Sequence, residues 1–336
     1  MSSSSVQTAP CIGIMCIDVA VWLQAQYGKK WHNYLAASYV KHLEAVGAHV
    51  VPVWIGRDRS YYATLMDQLN GILLPGGAIY IDEADVQSRP DLTNDCVRTA
   101  EIIYQLAMER NKKGSDPEEY FPLWGTCLGM QLLLINAAQN RKLSANQVRT
   151  KCQRMKKALS VCFTEDYRNS KIFVNLPEGC FASHHHGYCI TTGSLKEYGL
   201  DTDWQALALQ KDPAGYEFIT FIKHKDFPIF ASQFHLERSA FEQLYSREDT
   251  CSETHSRESI QLAERLFSPF VDACRINKNR FASAAIKSRH LIWNFQPVFC
   301  GKHEKSDWLQ CYLFEKNVDY PKEESIGEVG EELKEK

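Results

Sequence analysis

The sequence predicts an α/β fold with a central, mostly parallel sheet covered by helices. Three observations carry this expectation. Short apolar runs alternate with segments of helical spacing from residue 11 to residue 139, the rhythm that builds βαβ units. Gly-bearing turns separate the two kinds of segment. Finally, residues 121–134 (FPLWGTCLGMQLLL) hold no formal charge; they are too short and too Gly-broken to span a bilayer, and suit a strand and helix buried together.

Taken in order, residues 11–17 (CIGIMCI) follow a Ser-rich lead and Pro10 and read as a buried strand. Tyr34, Leu35, Tyr39, Leu43 and Val46 then recur at helical spacing, and Gly47 stands where that helix should end. Residues 49–55 form a second strand, 62–70 a helix, and 71–77 (GILLPGG) a third strand closing on a Gly pair. Helical spacing returns over 94–110, with a charged loop at 111–119. Residues 121–125 then supply a strand and 128–139 a helix. The middle, 148–210, is less regular, with strand-like pieces at 158–163 and 188–192. Residues 216–224 and 228–234 read as a hairpin and 256–279 as an amphipathic helix, while 291–303 and 308–315 are apolar enough to pack back. No repeat or linker divides the chain. It reads as one domain over 10–316, with a flexible lead at 1–9 and an acidic, disordered tail at 317–336.

With 336 residues, 44% hydrophobic and 24% charged, the composition is that of a globular protein. The balance of 38 basic against 41 acidic residues offers no field for a nucleic-acid backbone, so nucleic acid is not expected as a partner. No membrane span is expected either. The first ten residues lack a basic start followed by an apolar run, so no signal peptide is visible. The twelve cysteines include no CxxC pair, which argues against structural zinc, and no N-x-S/T sequon marks a secretory route. The compartment stays open on these grounds.

Chemistry concentrates in three segments. Gly125-Thr126-Cys127-Leu128-Gly129 has the spacing of a nucleophile elbow, with cysteine in the place of serine. Side chains two residues either side of such a corner would collide, hence the glycines. Amides at the start of the following helix, that of Leu128 first, face a negative sulfur or an oxyanion. In ILLPGG, Gly76 and Gly77 end a strand where open α/β sheets bind ligands. In FASQFHLER, His235 is a candidate base, and strand alternation puts Glu237 on its side to orient the imidazole. Each segment alone has a plainer reading: a buried cysteine, an ordinary strand-ending turn, a structural histidine. The run His184-His185-His186 invites a metal, yet alternation leaves at most a two-ligand pair, so a solvated or substrate-facing loop is expected there and no metal.

Together, and in this order, LLPGG, WGTCLGMQ and SQFHLER resemble the class I glutamine amidotransferase-like superfamily, and within it the gamma-glutamyl hydrolase family. The resemblance extends to LAASYVKHLEAVGAHVVPV, EYFPLWGTCLG and the closing LIWNFQPVF and QCYLFE. It implies a flavodoxin-like three-layer sandwich with a nucleophile elbow. The implied enzyme is a cysteine hydrolase cutting γ-glutamyl bonds of folylpoly-γ-glutamates through a thioester. In that enzyme Cys127 attacks, His235 is base and then acid, and Glu237 orients it. Gly76, Gly77 and Leu128 serve the oxyanion and substrate, Gln131 lies near the nucleophile, and His185 is a substrate-side histidine. No cofactor is implied. A homodimer is, along with a lysosomal, vacuolar or extracellular location, although the lack of a visible signal peptide leaves the cytosol open. Two residues depart from the pattern: Leu236 replaces a proline, and Gln131 stands where these hydrolases tend to have glutamate, which bears on the substrate taken. The alternatives are a glutaminase or other γ-glutamyl amidohydrolase of the superfamily, or a non-catalytic relative sensing redox state through Cys127.

Overall fold

Apolar runs buried along their whole length form the adjacent central strands, as the inner strands of a parallel sheet must. The computed structural model describes residues 9–79, 81, 93–139, 148–172, 176, 180–243, 255–304, 306–316 and 318–319. Among the described residues the main sheet has eight strands. Its order runs from β4 (His49–Val53) through β1 (Cys11–Met15), β5 (Gly71–Leu74) and β6 (Leu123–Thr126) to β12 (Ile229–Ser232). The order then continues with β11 (Glu217–His224), β10 (Trp204–Lys211) and β8 (Cys162–Phe163). The first five are parallel and the last three antiparallel. An antiparallel sheet of four joins β13 (Val298–Phe299), β14 (Gln310–Phe314), β3 (Asn33–Ala36) and β2 (Ile17–Asp18). A two-stranded antiparallel ribbon pairs β7 (Thr150–Ser160) with β9 (Phe181–Cys189).

Helices cover both faces of the main sheet, and β6 shows this most simply. Neighbouring residues on a strand point to opposite faces. Trp124 packs on Phe267 and Phe270 of the long amphipathic helix Arg257–Ile276, while Gly125 faces Leu133 of the helix Leu128–Gln139. The sandwich is therefore three layers deep, as expected.

In chain order the helices that matter below are α1 (Ala37–Ala45), α2 (Asp95–Lys113), α3 (Leu128–Gln139) and α4 (Arg257–Ile276). The first corrects the reading of 34–46 as one helix: Tyr34 and Leu35 lie in β3, held between β14 and β2, and helix begins only at Ala37. Helical spacing there was a coincidence of an all-buried strand running straight into a helix. Gly47 does close α1, at φ 85°. Likewise 11–17 is not one strand: β1 stops at Met15, and Ile17–Asp18 leaves for the second sheet. There the Asp18 carboxylate accepts from the Asp95 and Cys96 amides and anchors the start of α2. That helix runs on to Lys113, into the stretch read as a charged loop.

The largest difference is in the middle. The described residues of 148–210 form β7, β8, β9 and β10, with short helices between them, rather than an irregular stretch. In β7 exposed Lys and Arg interrupt the apolar residues, because a ribbon with solvent on one side carries little hydrophobic signal. The three histidines sit on β9 rather than on a loop, and past Cys189 the chain turns into a short helix, Thr192–Glu197, instead of continuing to 192 as strand. The hairpin of β11 and β12 stands where expected. The acidic tail from residue 321 lies outside the described residues.

Candidate active site

The carboxyl ends of β5, β6 and β12, three adjacent parallel strands, bring the candidate residues to one edge of the sheet, where such sheets bind ligands. Cys127 is the corner between β6 and α3. Its φ is 51°, a left-handed conformation that strains a residue with a side chain and marks a functional position. Main-chain bonds hold it: its amide donates to the Ser232 carbonyl at 2.7 Å, and its carbonyl accepts from the Gln131 amide at 3.1 Å. The flanking glycines explain themselves sterically. A Cβ on Gly125 would lie 2.7 Å from both the Gly129 carbonyl carbon and Leu133 Cδ1, and one on Gly129 would overlap the Leu74 carbonyl. Leu128 opens α3, so its amide belongs to the first turn, where no helical carbonyl precedes it.

His235 follows β12 and is fixed by a main-chain bond from its amide to the Ser183 carbonyl, 2.8 Å, in an isolated bridge to β9. Its Nδ1 meets Glu237 Oε1 at 2.7 Å, both residues being buried. Glu237 arrives there by a helical turn, with φ −63° and ψ −22°, not by the strand alternation expected from sequence. Burial alone would lower the His235 pKa. The Glu237 carboxylate and the Cys127 sulfur outweigh it and push the pKa up to about 9. Burial pulls Glu237 the other way, yet the imidazolium beside it keeps its carboxyl below the usual range. His235 Nε2 is buried and makes no hydrogen bond of its own among the described residues, which leaves it to serve the sulfur side. Leu236 turns into the core.

Gly76 donates its amide hydrogen to the Tyr39 hydroxyl at 2.7 Å. Its missing side chain is what the site uses: a Cβ there would stand 2.7 Å from His235 Cε1 and 3.3 Å from Cys127 Cβ. Gly77 packs against Ile17 and Leu128 at the same edge. Over the sulfur lies β9. The His185 carbonyl accepts from Cys127 Sγ at 3.8 Å, while the His185 ring reaches outward, with Nε2 3.9 Å from Asp307 Oδ1. Burial and the nearby Arg238 lower the His185 pKa to about 3, so the ring is neutral. His184 and His186 do share a face, 3.1 Å apart and buried. Among the described residues no group of three or more His, Cys, Asp or Glu could hold a metal ion.

Two residues at the site escaped the sequence reading. Gln233, fully buried, donates from Nε2 to Cys127 Sγ at 3.3 Å; the alternation used to connect 235 with 237 also includes 233, so that signal was available. Tyr39, from α1, lies with its hydroxyl 3.4 Å from His235 Nδ1, and nothing local distinguishes it from core. Gln131 sits one turn into α3 and bonds Gln233 Oε1 at 3.4 Å.

A thiol at a strained corner, an imidazole with a carboxylate behind it, and a helix N-terminus make up the layout of nucleophilic acyl transfer. The family model for peptidase C26 matches residues 10–237. The chain belongs to the peptidase C26 family. That match begins just before β1 and ends on Glu237, so every residue discussed at the sulfur lies within the C26 region. Gamma-glutamyl hydrolase B of Dictyostelium discoideum is 30% identical over 329 residues, covering 95% of this chain and 87% of that protein. Gamma-glutamyl hydrolase of Homo sapiens is 29% identical over 315 residues, 91% of this chain and 90% of its own. Among solved structures, the Trypanosoma brucei CTPS glutaminase domain with bound acivicin superposes with a TM-score of 0.51 at 17% identity, covering 80% of this C26 chain and 95% of that one. At that identity the likeness speaks for the fold.

Proposed function

We propose that the chain is a cysteine hydrolase that cleaves γ-glutamyl bonds through a thioester, with folylpoly-γ-glutamates as its substrates. The observation that carries this reading is the juxtaposition of Cys127, His235 and Glu237 at the elbow, in a C26 chain akin to gamma-glutamyl hydrolases.

With its pKa raised to about 9, His235 is protonated at neutral pH beside the sulfur. Cys127 Sγ attacks the γ-carbonyl carbon and the carbonyl π electrons move to oxygen. The Leu128 and Gly77 amides are the donors assigned to that oxyanion. His235 gives its proton to the leaving nitrogen, the C–N bond breaks, and the downstream glutamate departs as an amine. Now neutral, His235 takes a proton from water as that water attacks the thioester carbon. Collapse releases the γ-carboxylate product, and the sulfur leaves with its electron pair. Throughout, Glu237 holds the ring by Nδ1 and balances its charge.

A homodimer and a lysosomal, vacuolar or extracellular location are proposed on the resemblance alone. Sedimentation and localisation of a tagged chain test them. The activity itself is tested by incubation with pteroylpentaglutamate and separation of the products. Shortened chains are expected; none from the wild type, with ammonia from glutamine instead, would replace this reading with a glutaminase.

A further inference from the structure

We propose that Arg149 is a positioning residue that, through Gln131 and Gln233, turns an N–H donor toward the Cys127 sulfur. The inference takes from the proposed function only that Cys127 is the nucleophile.

Three bonds run in line. Arg149 Nη1 donates to Gln131 Oε1 at 3.3 Å, Gln131 Nε2 to Gln233 Oε1 at 3.4 Å, and Gln233 Nε2 to Cys127 Sγ at 3.3 Å. Both glutamines are buried, with 4% and 0% of their surface exposed. A primary amide has a donor end and an acceptor end of nearly the same shape, so a buried pair of amides can be threaded in either direction. The opposite threading would aim the Gln233 carbonyl oxygen at the sulfur and repel a thiolate. Something must therefore choose the direction, and a guanidinium does so because it only donates.

With Arg149 at one end, the Gln131 oxygen must face it and the Gln131 amino group must face inward. There it meets two acceptors, Gln233 Oε1 and the Tyr188 carbonyl at 3.3 Å, so a flipped Gln131 would press oxygen against oxygen. The same Tyr188 holds the guanidinium, whose carbon lies 4.3 Å above its ring centroid. The relay also accounts for the neutral residue at 131. A glutamate there would pair with Arg149 but could not donate to Gln233, and the direction would be lost.

A hydrogen bond to a charged partner is stronger than one to a neutral group, and losing one is worth about 10- to 100-fold in an equilibrium or rate. The test reads the rate of iodoacetamide alkylation of Cys127 at pH 7 without substrate, by peptide mass spectrometry. Alkylation of exposed Cys162 serves as internal standard, and kcat and KM on pteroylpentaglutamate are measured alongside. Arg149→Met and Gln131→Glu are expected to slow Cys127 alkylation about 10-fold or more relative to Cys162, and to lower kcat with little change in KM. Arg149→Lys, still a pure donor, retains most of both. Wild-type alkylation rates in Arg149→Met and Gln131→Glu, or effects confined to KM, would overturn the relay and make 131 a substrate contact alone. Should the wild type shorten no polyglutamate, the alkylation rates still decide the relay.

Discussion

Replacing Gly129 by alanine probes the elbow with one methyl group. Its Cβ would overlap the Leu74 carbonyl oxygen and lie 2.7 Å from the Leu74 carbonyl carbon, about 0.7 Å inside the 3.4 Å at which ordinary contact begins. The obstacle is main chain of β5, which cannot rotate away as a side chain would. The start of α3 must therefore retreat by most of an ångström, and with it go Cys127, the Leu128 amide and Gln131. Overpacking of this kind costs about 1–3 kcal/mol, and an ångström of misplacement at a reacting atom is worth roughly 100-fold in rate. Gly187, on β9 close by, is the control, since a Cβ there meets nothing within 4 Å. Chemical denaturation and steady-state γ-glutamyl hydrolysis on both variants decide the matter. Gly129→Ala should lose about 1–3 kcal/mol and 100-fold or more in kcat/KM, while Gly187→Ala stays within a few-fold of wild type. A Gly129→Ala enzyme with wild-type stability and rate would refute the account of the corner.

Three further outcomes are expected. Glu237→Gln removes the carboxylate that chiefly raises the His235 pKa toward 9; activity should fall about 100- to 10,000-fold, and the alkaline limb of the remaining activity should move to lower pH. Tyr39→Phe leaves the buried Gly76 amide without its 2.7 Å acceptor and removes the hydroxyl 3.4 Å from His235 Nδ1, for a stability loss of about 1–3 kcal/mol in urea titration. His42 is buried on α1 against Phe267, and burial lowers its pKa to about 4. Between pH 6.5 and 4 the unfolded chain binds a proton there that the folded chain does not, so stability falls as pH falls through that window. In urea titrations the wild type should lose about 3 kcal/mol more than His42→Leu between pH 7 and pH 4; parallel losses would refute it.

Much of the fold was legible because the inner strands announce themselves. β1, β5 and β6 are buried end to end, and short apolar runs of this kind, bounded by glycines and helical segments, suit the inner strands of a parallel sheet. What periodicity could not show was pairing at a distance. β3 is a strand because β14, nearly 280 residues later, hydrogen-bonds Cys311 against Ala36, and without that partner Tyr34 and Leu35 look like the first turn of a helix. The ribbon of β7 and β9 hid for the opposite reason, since its solvent-facing lysines mask the strand. At the site, Cys127 and its glycines are a local pattern, as are His235 and Glu237, and the structure brings these residues together. Gln233 and Tyr39 act across 106 and 196 positions respectively. Only the folded chain reveals that the Gly76 amide donates to the Tyr39 hydroxyl.

The central claim is that the sulfur at the corner forms the covalent intermediate. Rapid acid quench of the enzyme turning over pteroylpentaglutamate, followed by intact-mass and peptide analysis, tests it most directly. The account predicts a γ-glutamyl thioester on the peptide bearing Cys127, absent from Cys127→Ala, which should also release no shortened folate. Undiminished hydrolysis by Cys127→Ala, or an adduct on any other cysteine, would contradict it.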